Sequence, residues 1–116
     1  QPIWFRTRSG PLLLVPYPVE MNDYPSMIQN HKSPRDFTEM IVDQFDQMLE
    51  LSKKQPLVFP LSTHTFVVGQ PFRLFQLRRA LELITKHKDV DQVWFTVPGE
   101  IARHVKSLPP GIVPGS

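Results

Sequence analysis

Four histidines, eleven carboxylates and no cysteine bound the chemistry open to this chain. The absence of cysteine excludes disulfides, thiolate metal sites and a cysteine nucleophile. His31, His64, His87 and His104 are scattered, and none forms a His-x-x-x-His pair, so no metal site is expected from their spacing. His87 and His104 stand among Lys and Arg on expected helix faces, and His31 in a polar loop. Solvated side chains are the expectation for all three. His64 differs. It follows the apolar run Leu57-Val58-Phe59-Pro60-Leu61 and the small polar pair Ser62-Thr63, and a short loop, the break Gly69-Gln70-Pro71 and a basic amphipathic helix come after it. A buried strand that delivers a histidine to its carboxyl end is where α/β proteins put catalytic side chains. A structural histidine bonded to backbone fits the same pattern, and both readings stand at this point.

Glu20-Met21-Asn22-Asp23 also follows an apolar strand, Leu12–Val15, and the Pro16-Tyr17-Pro18 segment. Asn22 and Asp23 could bind a polar substrate or orient a base; an Asx-type turn before Tyr24-Pro25 is the commoner use of such residues. Asp36, Asp43, Asp46 and Glu50 fall on the polar side of a helix and are expected to be solvated. No Gly-rich phosphate loop exists. Arg73, Arg78 and Arg79 with Phe72 and Phe75 resemble a nucleic-acid patch, but the interleaved leucines make an ordinary amphipathic helix.

The elements that must position these residues read as follows. Ile3–Arg6 and Leu12–Val15, separated by Thr7-Arg8-Ser9-Gly10-Pro11, predict a strand pair or a strand after a turn. Pro16–Lys32 reads as irregular. Ser33 as N-cap, Pro34 at the first helical position and Asp36 in a capping-box position start a helix over 34–52. Phe37, Ile41, Phe45 and Met48 give it one apolar stripe. Leu57–Leu61 is too continuous for a half-exposed strand and predicts one buried on both faces. A helix over 71–87 follows, with Leu74, Leu77, Leu81 and Ile84 inward and Lys86-His87-Lys88 at its negative pole. Val93–Thr96 predicts a further strand, and Pro98-Gly99-Glu100 opens a last helix with Ile101 and Val105 inward. The alternation is α/β, with mostly parallel strands expected in one sheet.

A chain of 116 residues, 41% hydrophobic and 21% charged, is one globular domain at most or part of one. Its formal net charge of +2 is too mild to argue for nucleic acid. No apolar run approaches a membrane span and no charged-then-apolar leader opens the chain, so no membrane partner and a cytoplasmic location are expected. Gln1 in place of an initiating Met implies that something upstream was removed or that the sequence is a piece of a longer one. Thirteen prolines sit mostly at element borders. Only 108–116 reads as a flexible, extended Pro/Gly tail, which leaves 1–107 as the structured part.

Pro2-Ile3-Trp4-Phe5, Ser9-Gly10-Pro11-Leu12, Pro16-Tyr17-Pro18, Glu20-Met21-Asn22-Asp23, His64 with Val68-Gly69-Gln70-Pro71-Phe72-Arg73, Arg79-Ala80-Leu81, Val93-Trp94-Phe95-Thr96 and Glu100-Ile101-Ala102-Arg103-His104 occur in that order. Together they resemble the carboxyl-terminal part of the polysaccharide deacetylase superfamily, in the branch of peptidoglycan deacetylase-like and allantoinase-like proteins. The resemblance runs from Gln1 to about Val105 and covers less than half of a family domain. It implies the carboxyl-terminal portion of a distorted (β/α) barrel and hydrolysis of non-peptide carbon–nitrogen bonds, in N-acetylated sugars or ureide-type molecules. The family's zinc, where used, is held by an aspartate and two histidines of the amino-terminal half, so no cofactor is expected in this chain. His64 matches the family's late strand-end histidine, a general acid or oxyanion stabiliser, although His64-Thr65-Phe66 stands where the branch more often has His-Pro-Tyr. Asn22 and Asp23 match a loop near the substrate opening.

These matches imply that the chain alone is inactive, having one acid candidate and neither a nucleophile-generating metal nor a paired base. Open sheet edges imply a homo-oligomer or association with a separate amino-terminal half. The rival expectation is non-enzymatic: a truncated homologue acting as an oligomeric binding or structural protein.

Overall fold

Ser33 starts the longest element, α1 (Pro34–Ser52), through reciprocal hydrogen bonds: Asp36 N–H donates to Ser33 Oγ at 3.1 Å, and Ser33 N–H donates to Asp36 Oδ2 at 3.0 Å. The expected capping box is thus formed, with Pro34 at the first turn, where no N–H is needed. Phe37, Ile41 and Phe45 are buried along one stripe, and Met48 is half-buried. They pack against α3 (Pro71–Thr85), which contributes Ala80 and Ile84. Thr38 Oγ1 donates to the carbonyl of Gln76 at 2.8 Å and ties the two helices together. Met21, Met27, Val67 and Val68 complete this core, with Phe59, Leu61 and Leu77 packed partly against it. Each large apolar side chain buried here stabilises by about 1.5–3 kcal/mol.

The computed structural model describes Gln1–Ser116 as two compact units. The first comprises Gln1–Pro16 and Trp94–Ser116, and the second Tyr17–Val93, which holds the core above. In the first, β1 (Ile3–Thr7) pairs antiparallel with β2 (Gly10–Leu14), with Ile3 opposite Leu14 and Thr7 opposite Gly10. The turn is fastened by Thr7 Oγ1 donating to the carbonyl of Gly10 at 2.7 Å, and Gly10, at φ 123°, holds a conformation that side-chain-bearing residues rarely adopt. The last helix, α4 (Pro98–Ser107), buries Val105, with Ile101 half-buried, as expected. The segment 108–116 makes turns, and Trp4 N–H donates to the carbonyl of Pro114 at 2.9 Å. Gly115 is required there, because a Cβ would lie 2.3 Å from the Trp4 carbonyl oxygen.

Three expectations are corrected. The mixture of helices and strands is present, but Leu12–Val15, Leu57–Leu61 and Val93–Thr96 do not form one mostly parallel sheet. The only ladder is the antiparallel hairpin, so Leu12 belongs to β2 with β1 as its neighbour. Leu57–Leu61 is half-buried and unpaired until its end, where Ser62 makes one isolated parallel bridge with Asn22. Val93 and Val97 are extended, at φ −107° and −121°, yet Trp94 and Phe95 between them are exposed and have no strand partner. Apolar content made these segments extended; a strand additionally needs a neighbour for its N–H and C=O groups, and none lies beside them.

The inward face of α3 is also shifted: Leu81 is exposed, while Ala80, fully buried, lets α1 approach closely. His87 is not a solvated residue. Its ring stands edge-on to Phe45 at 5.6 Å, and Nε2 lies 3.4 Å from Asp46 Oδ1. No helix is long and apolar enough to cross a membrane.

Candidate active site

The single parallel bridge brings the two sequence-predicted segments together. Ser62 N–H donates to the carbonyl of Met21 at 2.9 Å, and Asp23 N–H donates to the carbonyl of Ser62 at 3.2 Å. This registers Asp23 beside His64. Asp23 is completely buried, and both carboxylate oxygens are used on one residue. Oδ2 accepts the backbone N–H of His64 at 2.7 Å, and Oδ1 lies 2.6 Å from His64 Nδ1. An ionised carboxylate only accepts, so the neutral imidazole carries its proton on Nδ1. Nε2 makes no protein hydrogen bond, and the side chain is 37% exposed. A histidine fixed at one nitrogen and open at the other can exchange a proton with a ligand.

Local sequence explains each placement. His64 is the N-cap residue of the short helix α2 (Thr65–Val68), in extended conformation at φ −114°, and its carbonyl accepts from the N–H groups of Val67 and Val68, both at 2.9 Å. Val67 and Val68 are buried and anchor this turn. Asp23 precedes a π-helical turn, Tyr24–Gln29, which begins with Pro25 in its first turn. Such turns re-aim side chains out of the regular helical register.

Asn22 is buried, and its side-chain oxygen accepts from Tyr24 N–H at 3.3 Å, forming the Asx-type turn weighed from the sequence. The Asp23 carboxylate is directed at His64 and away from solvent, a geometry that can orient the imidazole. Sequence reasoning missed three neighbours. Tyr24 and Phe66 have ring centroids 6.1 and 5.5 Å from that of His64, and the Tyr17 hydroxyl lies 3.0 Å from Ser62 Oγ. Aromatic residues directly after Asp23 and two after His64 were the available signal.

A zinc ion needs three or more protein donors. Asp23 and His64 are only two, both Asp23 oxygens are committed, and nowhere do three His, Asp or Glu side chains gather. The residues present do not fit such an ion.

The chain is a mixture of helices and strands with a carboxylate-held histidine at the end of an extended segment. No protein-family model and no curated protein matches the chain. Solved structures do. The chain is similar to a probable polysaccharide deacetylase from Pseudomonas aeruginosa PAO1, with 29% identity over 89% of this chain and 34% of that one, at a TM-score of 0.77. It is similar also to Puue allantoinase, with 32% identity over 94% of this chain and 36% of that one, at a TM-score of 0.83. Over the part matched the fold is similar to that of polysaccharide deacetylase superfamily proteins, and the chain spans about a third of the length of the structures it matches.

Proposed function

We propose that the chain is the carboxyl-terminal portion of a distorted (β/α) barrel that hydrolyses a non-peptide carbon–nitrogen bond, with His64 as proton donor to the leaving nitrogen. The Asp23–His64 pair is the observation that carries this reading. In the step, water adds to the amide carbonyl and loses a proton to a base outside this chain, and the carbon–nitrogen bond breaks. Imidazolium His64 passes its Nε2 proton to the departing amine and ends as the neutral form protonated at Nδ1. Asp23 stabilises the imidazolium and keeps Nε2 as the reacting atom. The base that takes the proton from water is not supplied by Asp23, whose oxygens are both occupied. For this reason the 116-residue chain alone is expected to lack turnover. The two similar structures suggest an N-acetylated sugar or a ureide as substrate, and a cytoplasmic location accompanies the reading. The test is release of acetate from N-acetylated sugars and ring opening of allantoin by the protein purified from its native source. One of these activities is expected, and His64→Ala should lower it about 10²–10⁴-fold. Turnover that His64→Ala leaves unchanged would return the histidine to a structural role.

A second reading, an oligomeric binding or structural homologue, is favoured by one observation. Trp94 and Phe95 are 57% and 59% exposed on an unpaired extended segment. Such an edge gains about 25 cal/mol per Å² of apolar area covered by a partner. Light scattering should report a dimer or larger assembly at micromolar concentration; a stable monomer contradicts it.

A further inference from the structure

Of the arginines on α3, Arg78 and Arg79 are exposed and Arg73 alone is half-buried. It takes part in no ion pair. Its Nη1 turns back six positions and donates to the carbonyl of Val67 at 3.3 Å, while the guanidinium carbon stands 5.0 Å from the centre of the Phe72 ring. The chain itself creates the need for that donor. A helical carbonyl is ordinarily served by the N–H four residues on, and four residues after Val67 stands Pro71, which has none. No other backbone N–H reaches it, because those of Val67 and Val68 go to His64 and that of Gly69 to Thr65. Val67 is fully buried, so water does not serve its carbonyl either. Arg73 is the donor that satisfies this acceptor, and a buried carbonyl left without one is costly.

Val67 links that donor to the site. Its carbonyl accepts from Arg73, and its N–H donates to the His64 carbonyl at 2.9 Å. On the other side of His64, the backbone N–H donates to Asp23 Oδ2 at 2.7 Å. The peptide groups flanking His64 are thus fixed by Asp23 before it and by the α2 turn after it, and together they aim the ring at Asp23. We infer that Arg73 is a positioning residue for His64, acting through Val67 to keep the α2 turn closed and Nδ1 on Asp23. The inference rests on the proposed reaction, in which Nε2 must be the open nitrogen, and adds the residue of α3 that secures it.

The test is Arg73→Met, which keeps an apolar stem beside Phe72 and removes every donor. It is read in long-range ¹H–¹⁵N spectra of the chain without substrate, at a pH where the imidazole is neutral. The ratio of Nδ1–H to Nε2–H tautomer in His64 should fall about tenfold, the factor between a charge-assisted and an ordinary hydrogen bond. Ser33→Ala, which loosens the start of α1 instead, should leave that ratio as it is. Arg73→Lys, a charged donor of shorter reach, should lie between the parent chain and Arg73→Met, and it carries the test if Arg73→Met does not fold. In the natively purified protein, Arg73→Met should lower kcat about tenfold and change KM by less than about twofold. A tautomer ratio unchanged in the Arg73 variants, or lowered equally by Ser33→Ala, overturns the positioning role. Turnover of His64→Ala judges the proton donor separately, so either reading can fail without the other.

Discussion

Replacing Asp23 by asparagine keeps the shape of the side chain and changes only what its two terminal atoms do. The carboxylate accepts two hydrogen bonds from His64, one from the backbone N–H at 2.7 Å and one at Nδ1 at 2.6 Å. Each bond to a charged acceptor is worth about 1.5–3 kcal/mol, against about 0.5–1.5 kcal/mol for a neutral one. The carboxamide oxygen can serve only one of the two positions, and the backbone N–H cannot change its role. The carboxamide NH₂ must then face Nδ1 and donate to it, which forces the neutral imidazole to carry its proton on Nε2. Two neutral bonds replace two charge-assisted ones, so the expected destabilisation is about 2 kcal/mol, the low end of the difference because the His64 ring is partly solvated. Asp23→Ala, which leaves the backbone donor with no partner, should cost about 3 kcal/mol. Urea unfolding gives the energies, and long-range ¹H–¹⁵N spectra of the imidazole give the tautomer at a pH where it is neutral. An Asp23→Asn variant as stable as the parent chain, with the proton still on Nδ1, would refute this account of the pair.

Phe37→Ala should destabilise by about 3–5 kcal/mol, measured by urea unfolding, because Phe37 on α1 is 2% exposed within the core and its removal leaves a cavity. Ser33→Ala should cost about 1 kcal/mol through loss of the α1 cap. Hydrogen bonding to the Ser33 side chain, and then to its backbone N–H, holds the Asp36 carboxyl below its ordinary value. A lowered folded-state value stabilises above the unfolded carboxylate value near ~3.9 and ceases to do so as pH falls through the lowered one. The difference in urea midpoint between the parent chain and Asp36→Asn should therefore be full at neutral pH and vanish in acid; a difference that persists there contradicts the capping assignment.

How much was legible depended on the range of each interaction. The Ser33–Asp36 box, the stripe Phe37–Ile41–Phe45 and the hairpin around Gly10 are local, so residue types at short spacing were enough to foresee them. The strands at Leu57–Leu61 and Val93–Thr96 were not foreseeable in the same way, since pairing is settled by distant neighbours and only Ser62 finds one, in Asn22. The resemblance places the Asn22-Asp23 loop at the opening that His64 serves, but residue types alone mark the two segments only one at a time. Their union across 41 positions of chain has no sequence pattern and follows from that one bridge. Lys86-His87-Lys88 suggested a solvated histidine, whereas packing on Phe45 decided otherwise. Ala80 taking an inward place expected of Leu81 reflects helix–helix proximity, which periodicity does not encode.

The central claim, that His64 gives its proton to the leaving nitrogen, is tested most directly by the leaving-group dependence of the His64→Ala defect in the natively purified protein. A poor leaving group needs the proton and a good one does not. The loss should be about 10²–10⁴-fold for N-acetyl alkylamines and sugars and should shrink to within about tenfold for an acetanilide with a strongly electron-withdrawing ring. An equal loss across that series would contradict proton donation by His64.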